Sequence, residues 1–90
     1  MSFDELNRDF SRRKPQGEPI DETLWFSSYW SNPNDSINDL LRKFLKNFGF
    51  EYINDLNGEV WILLNDQWCN TRHEVDGRVV KFYLLEYIPN

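Results

Sequence analysis

Chemistry-bearing residues are scarce in this chain of 90 residues, which has a single cysteine, Cys69, and a single histidine, His73. One cysteine cannot form an intramolecular disulfide, and a zinc site built from several thiolates is excluded. One histidine leaves His73 as the sole imidazole for a nucleophile–base site. Glycines are few, and Gly58 and Gly77 sit at turn positions, so no glycine-rich loop is available to cradle phosphate. No cofactor or metal is expected.

Long apolar runs are missing too. The longest is Val60–Leu64, far short of the roughly 20 residues of a spanning helix. Met1–Glu5 carries neither a basic stretch nor an apolar one, so no secretory signal is expected and a cytoplasmic, non-membrane protein is the default. Positive charge is in deficit. The net charge is −5, which disfavours non-specific binding to nucleic acid or to an anionic membrane and permits a basic partner.

What the chain has in excess is aromatic residues, at 17%, with four Trp, four Tyr and seven Phe. These side chains bury the most area and are enriched at the centres of interfaces. Filling a small core is their commoner use.

The residue pattern predicts one domain of α+β class, with two or three N-terminal helices packed on a four-stranded antiparallel meander. Residues 1–14 read as a helix: Ser2 caps it, Glu5 completes a capping box, Phe3, Leu6 and Phe10 follow helical spacing, and Arg12–Lys14 crowd its last turn. Residues 15–19 are a connector. Within the helical segment 20–48, Ile20–Trp30 is expected as a short helix although its aromatics fit no narrow stripe. Ser36–Phe48 shows a full amphipathic face of Ile37, Leu40, Leu41, Phe44, Leu45 and Phe48, closed by Gly49. Residues 50–88 read as the sheet. Its strands are roughly 50–54, 59–64, 67–75 and 78–88, joined by hairpin signals at Asn57-Gly58, Asn65-Asp66 and Asp76-Gly77.

Counting outward from those turns assigns two faces, because side chains alternate with period two. One is mostly aliphatic, with Ile53, Val60, Ile62, Leu64, Cys69, Val75, Val80, Phe82, Leu84 and Ile88, and the Ser36–Phe48 helix is its natural cover. The other carries Phe50, Tyr52, Trp61, Leu63, Trp68, Tyr83, Leu85 and Tyr87, with Glu59, Arg72, Glu74 and Lys81 at its charged end. A solvated face should read polar, and this one does not.

Three readings of the aromatic face compete. The N-terminal segments can cover it in a closed monomer, it can pair with itself in a homodimer, or it can dock a different protein. The functional expectation is a non-enzymatic protein-interaction module, a small acidic inhibitor or adaptor that occludes its partner. Trp61, Trp68, Tyr83, Tyr52, Leu85, Tyr87, Arg72 and Lys81 would form its protein-binding residues. Small, acidic, aromatic-rich domains are frequent among phage and mobile-element inhibitors, an analogy of composition alone. Nucleic-acid binding through the same rings is the alternative, weakened because Glu59 and Glu74 balance Arg72 and Lys81. A small enzyme using His73 is the remaining one. Cys69 and His73 share a strand face but lie ~13 Å apart at about 3.3 Å per residue, too far for a hydrogen bond.

Overall fold

A computed structural model describes residues 2–88. The elements run α1 (Phe3–Arg13), β1 (Asp21–Tyr29), α2 (Ile37–Phe48), β2 (Glu51–Asn54), β3 (Val60–Leu64), β4 (Gln67–Asp76) and β5 (Val79–Glu86). The chain is α+β, with two helices and a five-stranded antiparallel sheet in the order β1-β5-β4-β3-β2.

Both helices begin as their sequences dictate. The Ser2 hydroxyl accepts from the Glu5 amide at 3.2 Å, and the Ser36 hydroxyl accepts from the Asp39 amide at 3.1 Å. Each bond satisfies one of the amides that a helix start leaves without a partner. Gly49 ends α2 at φ 74, donating to the Leu45 and Lys46 carbonyls. Only glycine adopts that left-handed backbone without a steric penalty.

The segment 20–30, expected as a helix, is instead the edge strand β1. It pairs with β5 from Asp21↔Glu86 to Tyr29↔Val79, and the register slips between Leu24 and Phe26. That bulge accounts for the unreadable pattern. Trp25 and Phe26 are consecutive, yet both pack against the α2 layer, so period two breaks in mid-strand. The Phe26 ring stacks on Phe44 of α2 at 3.6 Å and on Phe82 of β5 at 4.7 Å. Contacts of that kind decide a segment whose local propensity does not.

The meander β2–β5 follows the expected order, with two changes of register. The Asn65-Asp66 turn is as read: both residues have positive φ, and Leu64 pairs with Gln67. At the last hairpin Asp76 pairs with Val79, so the two turn residues are Gly77 and Arg78. The shift is two residues, and every side chain keeps its face. At the first hairpin the slip is one residue. Asp55 donates its amide to the Glu59 carbonyl at 2.9 Å, and its carboxylate accepts from the Asn57 and Glu59 amides, each at 2.9 Å. The loop therefore holds three residues, Leu56, Asn57 and Gly58, the last at φ 80. A three-residue loop ending in a left-handed glycine is the next most common hairpin form after the two-residue turn.

A one-residue slip turns a strand over. Ile53 consequently pairs with Trp61 and joins the aromatic face, whereas Tyr52, paired with Ile62, packs under α2 together with Phe50. This corrects the expected placement of Ile53, Phe50 and Tyr52.

The sheet separates two packed layers. On one side Leu41 and Leu45 of α2 meet Val60, Ile62, Val80 and Phe82. On the other, Leu6 and Phe10 of α1 meet Ile53, Trp61 and Trp68. Adjacent β3 residues feed opposite layers, the alternation a strand imposes.

Candidate functional site

The aromatic face divides in two. Its first half lies under α1. Phe10 meets the Trp68 ring edge-on at 5.1 Å and lies tilted against Trp61 at 5.4 Å, and Tyr87 closes on Trp61 at 5.4 Å. Trp61 and Trp68 are only 5% and 3% exposed. Both indole N–H groups are satisfied internally, Trp61 donating to the Asp55 carboxylate at 3.1 Å and Trp68 to Asp9 at 2.8 Å. The two tryptophans read from sequence as contact residues are core residues here, and α1 occupies the ground a partner would need. Tyr87 is half-buried at the rim of this cluster.

Asp9 is the buried acid of the interface, 7% exposed. Arg13 donates Nε and Nη2 to its two oxygens at 3.0 and 2.8 Å, then reaches the Asp66 carbonyl at 2.8 Å and its carboxylate at 3.0 Å. The guanidinium fork therefore joins α1 to the β3–β4 turn, a planar bidentate geometry that suits arginine. Hydrogen bonding from Arg13, opposed by burial and aided by Trp68, holds the Asp9 carboxyl below its ordinary range.

The second half of the face has no cover among the described residues. β5 contributes Lys81, Tyr83 and Leu85, β4 contributes Arg72 and Glu74, and β1 contributes Glu22, Leu24 and Tyr29. Leu24 and Tyr29 are 56% and 75% exposed. Arg72 organises the centre. Its guanidinium lies 4.2 Å from the Tyr83 ring centroid, contacts the Glu22 carboxylate through Nε at 2.6 Å and again through Nη2, and donates Nη1 to Glu74 at 2.8 Å. The Tyr83 hydroxyl donates to Glu74 at 3.3 Å. These bonds from Arg72 hold both carboxyls below their ordinary range. Glu22, Leu24 and Tyr29 are not legible as site residues in the sequence because the segment 20–30 reads as a helix, and only its run of Thr, Trp, Phe and Tyr points to a strand.

Of the eight residues assigned to the site from sequence, Tyr83, Leu85, Arg72 and Lys81 fall together on this open half. Trp61, Trp68 and Tyr87 fall under α1, and Tyr52 falls on the opposite layer.

The residues that could carry chemistry lie apart from this patch. Cys69 is buried, and burial above all raises its thiol pKa to about 11, which keeps it protonated at neutral pH. His73 is exposed on the α2 side of β4, its ring 6.4 Å from Phe82. It lines a shallow cleft where β4 diverges from the start of β3, together with Asn38, Asn57, Glu59 and Asn70. There Asn70 donates to Glu59 at 2.8 Å. Among the described residues no three His, Cys, Asp or Glu side chains gather to hold a metal ion, and no helix is long and apolar enough to cross a membrane.

No family model, no curated protein and no solved structure matches this chain.

Proposed function

We propose that this protein is a non-enzymatic interaction module, a small acidic inhibitor or adaptor that docks a partner protein on the open half of its sheet. The observation that supports this is the asymmetry of cover: α1 shields Trp61 and Trp68 but leaves Leu24, Tyr29, Tyr83 and Leu85 toward solvent. Apolar rings on a rigid sheet lose little freedom on binding, which favours affinity. The Arg72 network is already assembled, so docking does not have to order it. The net charge of −5 favours a basic partner surface, through steering more than through raw affinity.

The same surround gives no support to nucleic acid as the ligand. Arg72 is shared by two carboxylates, and a phosphate would have to displace Glu22 or Glu74 to reach it.

Affinity capture from the native host followed by calorimetry tests the reading. Tyr83→Ala should weaken binding of the captured protein by about 2 kcal/mol or more, the scale of an interface hot spot. Phe48→Ala, on the far side of α2, should leave it unchanged. Equal affinity for the wild type and Tyr83→Ala would remove the open half-face from the contact.

A further inference from the structure

Among the described residues the outer edge of β1 is the longer of the sheet's two edges, and it borders the face just described, with which it shares Leu24 and Tyr29. β1 has nine residues and, among the described residues, no neighbour on the side away from β5. The opposite edge of the sheet, β2, has four residues, and Arg42 of α2 binds its Asn54 side chain at 3.1 Å. Proteins usually blunt an edge with lysine, proline or a short strand. Asp21–Tyr29 contains no lysine, arginine or proline, and its bulge is confined to Leu24–Phe26, which leaves Ser27–Tyr29 as regular strand.

The backbone groups on this edge can be assigned. The Trp30 amide donates to the Arg78 carbonyl at 2.6 Å, so Trp30 faces inward to β5. Inward and outward groups alternate along an antiparallel strand. Ser28 and Phe26 therefore also face β5, and Ser27 and Tyr29 present their N–H and C=O outward.

We infer that this edge pairs, antiparallel and about a two-fold axis, with the same edge of a second copy of the chain, making one sheet continuous through both. Charge selects that occupant. The acids Asp21 and Glu22 sit at one end of β1, Glu22 bonded to Arg72, while the other end, at Ser28 and Tyr29, lies beside Arg78, in a turn that Asp76 flanks on the β4 side. A two-fold axis across the strand sets the acidic end of each copy against the Ser28–Tyr29 end of the other, where Arg78 is the nearer charge, so Asp21 and Glu22 of the two copies do not oppose one another. The surface is thus self-complementary, as an isologous interface requires. Leu24 and Tyr29 of the two copies then meet across the seam, covering apolar area that each copy alone leaves in water.

Sedimentation velocity from micromolar to near-millimolar concentration should show a monomer–dimer equilibrium. Ser27→Pro removes an outward N–H while sparing every bond to β5, and its loss counts twice in a symmetric pair. The variant should dimerise about tenfold more weakly or worse, given that each net hydrogen bond contributes on the order of a factor of five. Hydrogen exchange on the unmodified chain gives a second readout. The Ser27 and Tyr29 amides should be slowed at high concentration and fast at low concentration, whereas the Phe26 and Ser28 amides should be slow throughout. A monomer at every concentration overturns the inference. So does a dimer in which the Ser27 and Tyr29 amides stay unprotected, which would place the contact on the open face or at an exchanged α1. Loss of partner capture with edge pairing intact would instead count against the docking role alone.

Discussion

The Trp68 indole donates to the Asp9 carboxylate at 2.8 Å across 59 positions of sequence. That bond, with the Arg13 fork, ties an 11-residue helix to the sheet. A helix this short is marginal alone, and only Leu6 and Phe10 among its apolar residues are buried. Docking of α1 therefore depends on the polar set as much as on area.

Asp9→Asn should destabilise the fold by about 2 kcal/mol at pH 7, since charged hydrogen bonds contribute roughly 1.5–3 kcal/mol. Urea unfolding followed by tryptophan fluorescence measures it. A midpoint shift near zero would show that α1 is held by its apolar contacts alone.

The same variant has a defined pH signature. A carboxyl held low by Arg13 when folded stabilises fully above the unfolded value of about 3.9. That contribution fades as pH falls through the lower folded value. The gap between wild type and Asp9→Asn should be constant from neutrality to about pH 4 and close only below it. A gap that closes between pH 7 and 5 would contradict the assignment.

Cys69 should resist alkylation. At pH 8 a thiol with pKa about 11 holds roughly two hundredfold less thiolate than one of ordinary pKa near 8.5. Mass spectrometry after a timed exposure to iodoacetamide should find the native chain unlabelled and the urea-unfolded chain labelled. Fast labelling of native protein would mean that the β4 face opens.

Gly58→Ala should cost about 1–2 kcal/mol, the penalty of a left-handed backbone for a residue with a side chain. Nothing lies within 4 Å of the added carbon, so the cost is conformational and not steric. Chemical denaturation with an unchanged native spectrum would confirm that. A neutral result would mean the loop can take another form.

How far the fold was legible follows from which signals are local. α2 could be read almost to the residue because cap, stripe and terminating glycine agree within one segment. The meander could be read because each turn carries its own residues. β1 could not. Asp21 and Glu22 imitate a helix start, and the bulge at Trp25 hides the strand period. Its pairing with β5 spans the whole sheet in sequence, so no local pattern announces it. Ile53 and Tyr52 exchanged faces for a smaller reason: Asn57-Gly58 signals a two-residue turn, and the Asp55 carboxylate, capping two amides, enlarges the loop by one. The candidate site inherited both outcomes. Tyr83 and Leu85 stand where alternation puts them, but that Trp68 would be roofed by α1 depended on Asp9, an acid that reads as a solvated helix residue.

β3 is a wall shared by two rooms. Val60 and Ile62 furnish one side, Trp61 and Leu63 the other, along a single five-residue backbone. Any shift of that backbone which relieves crowding beneath α2 must press into the tryptophans beneath α1. Volume changes on the two sides should therefore tolerate one another only in compensating pairs, Ile62 with Trp61 before any others.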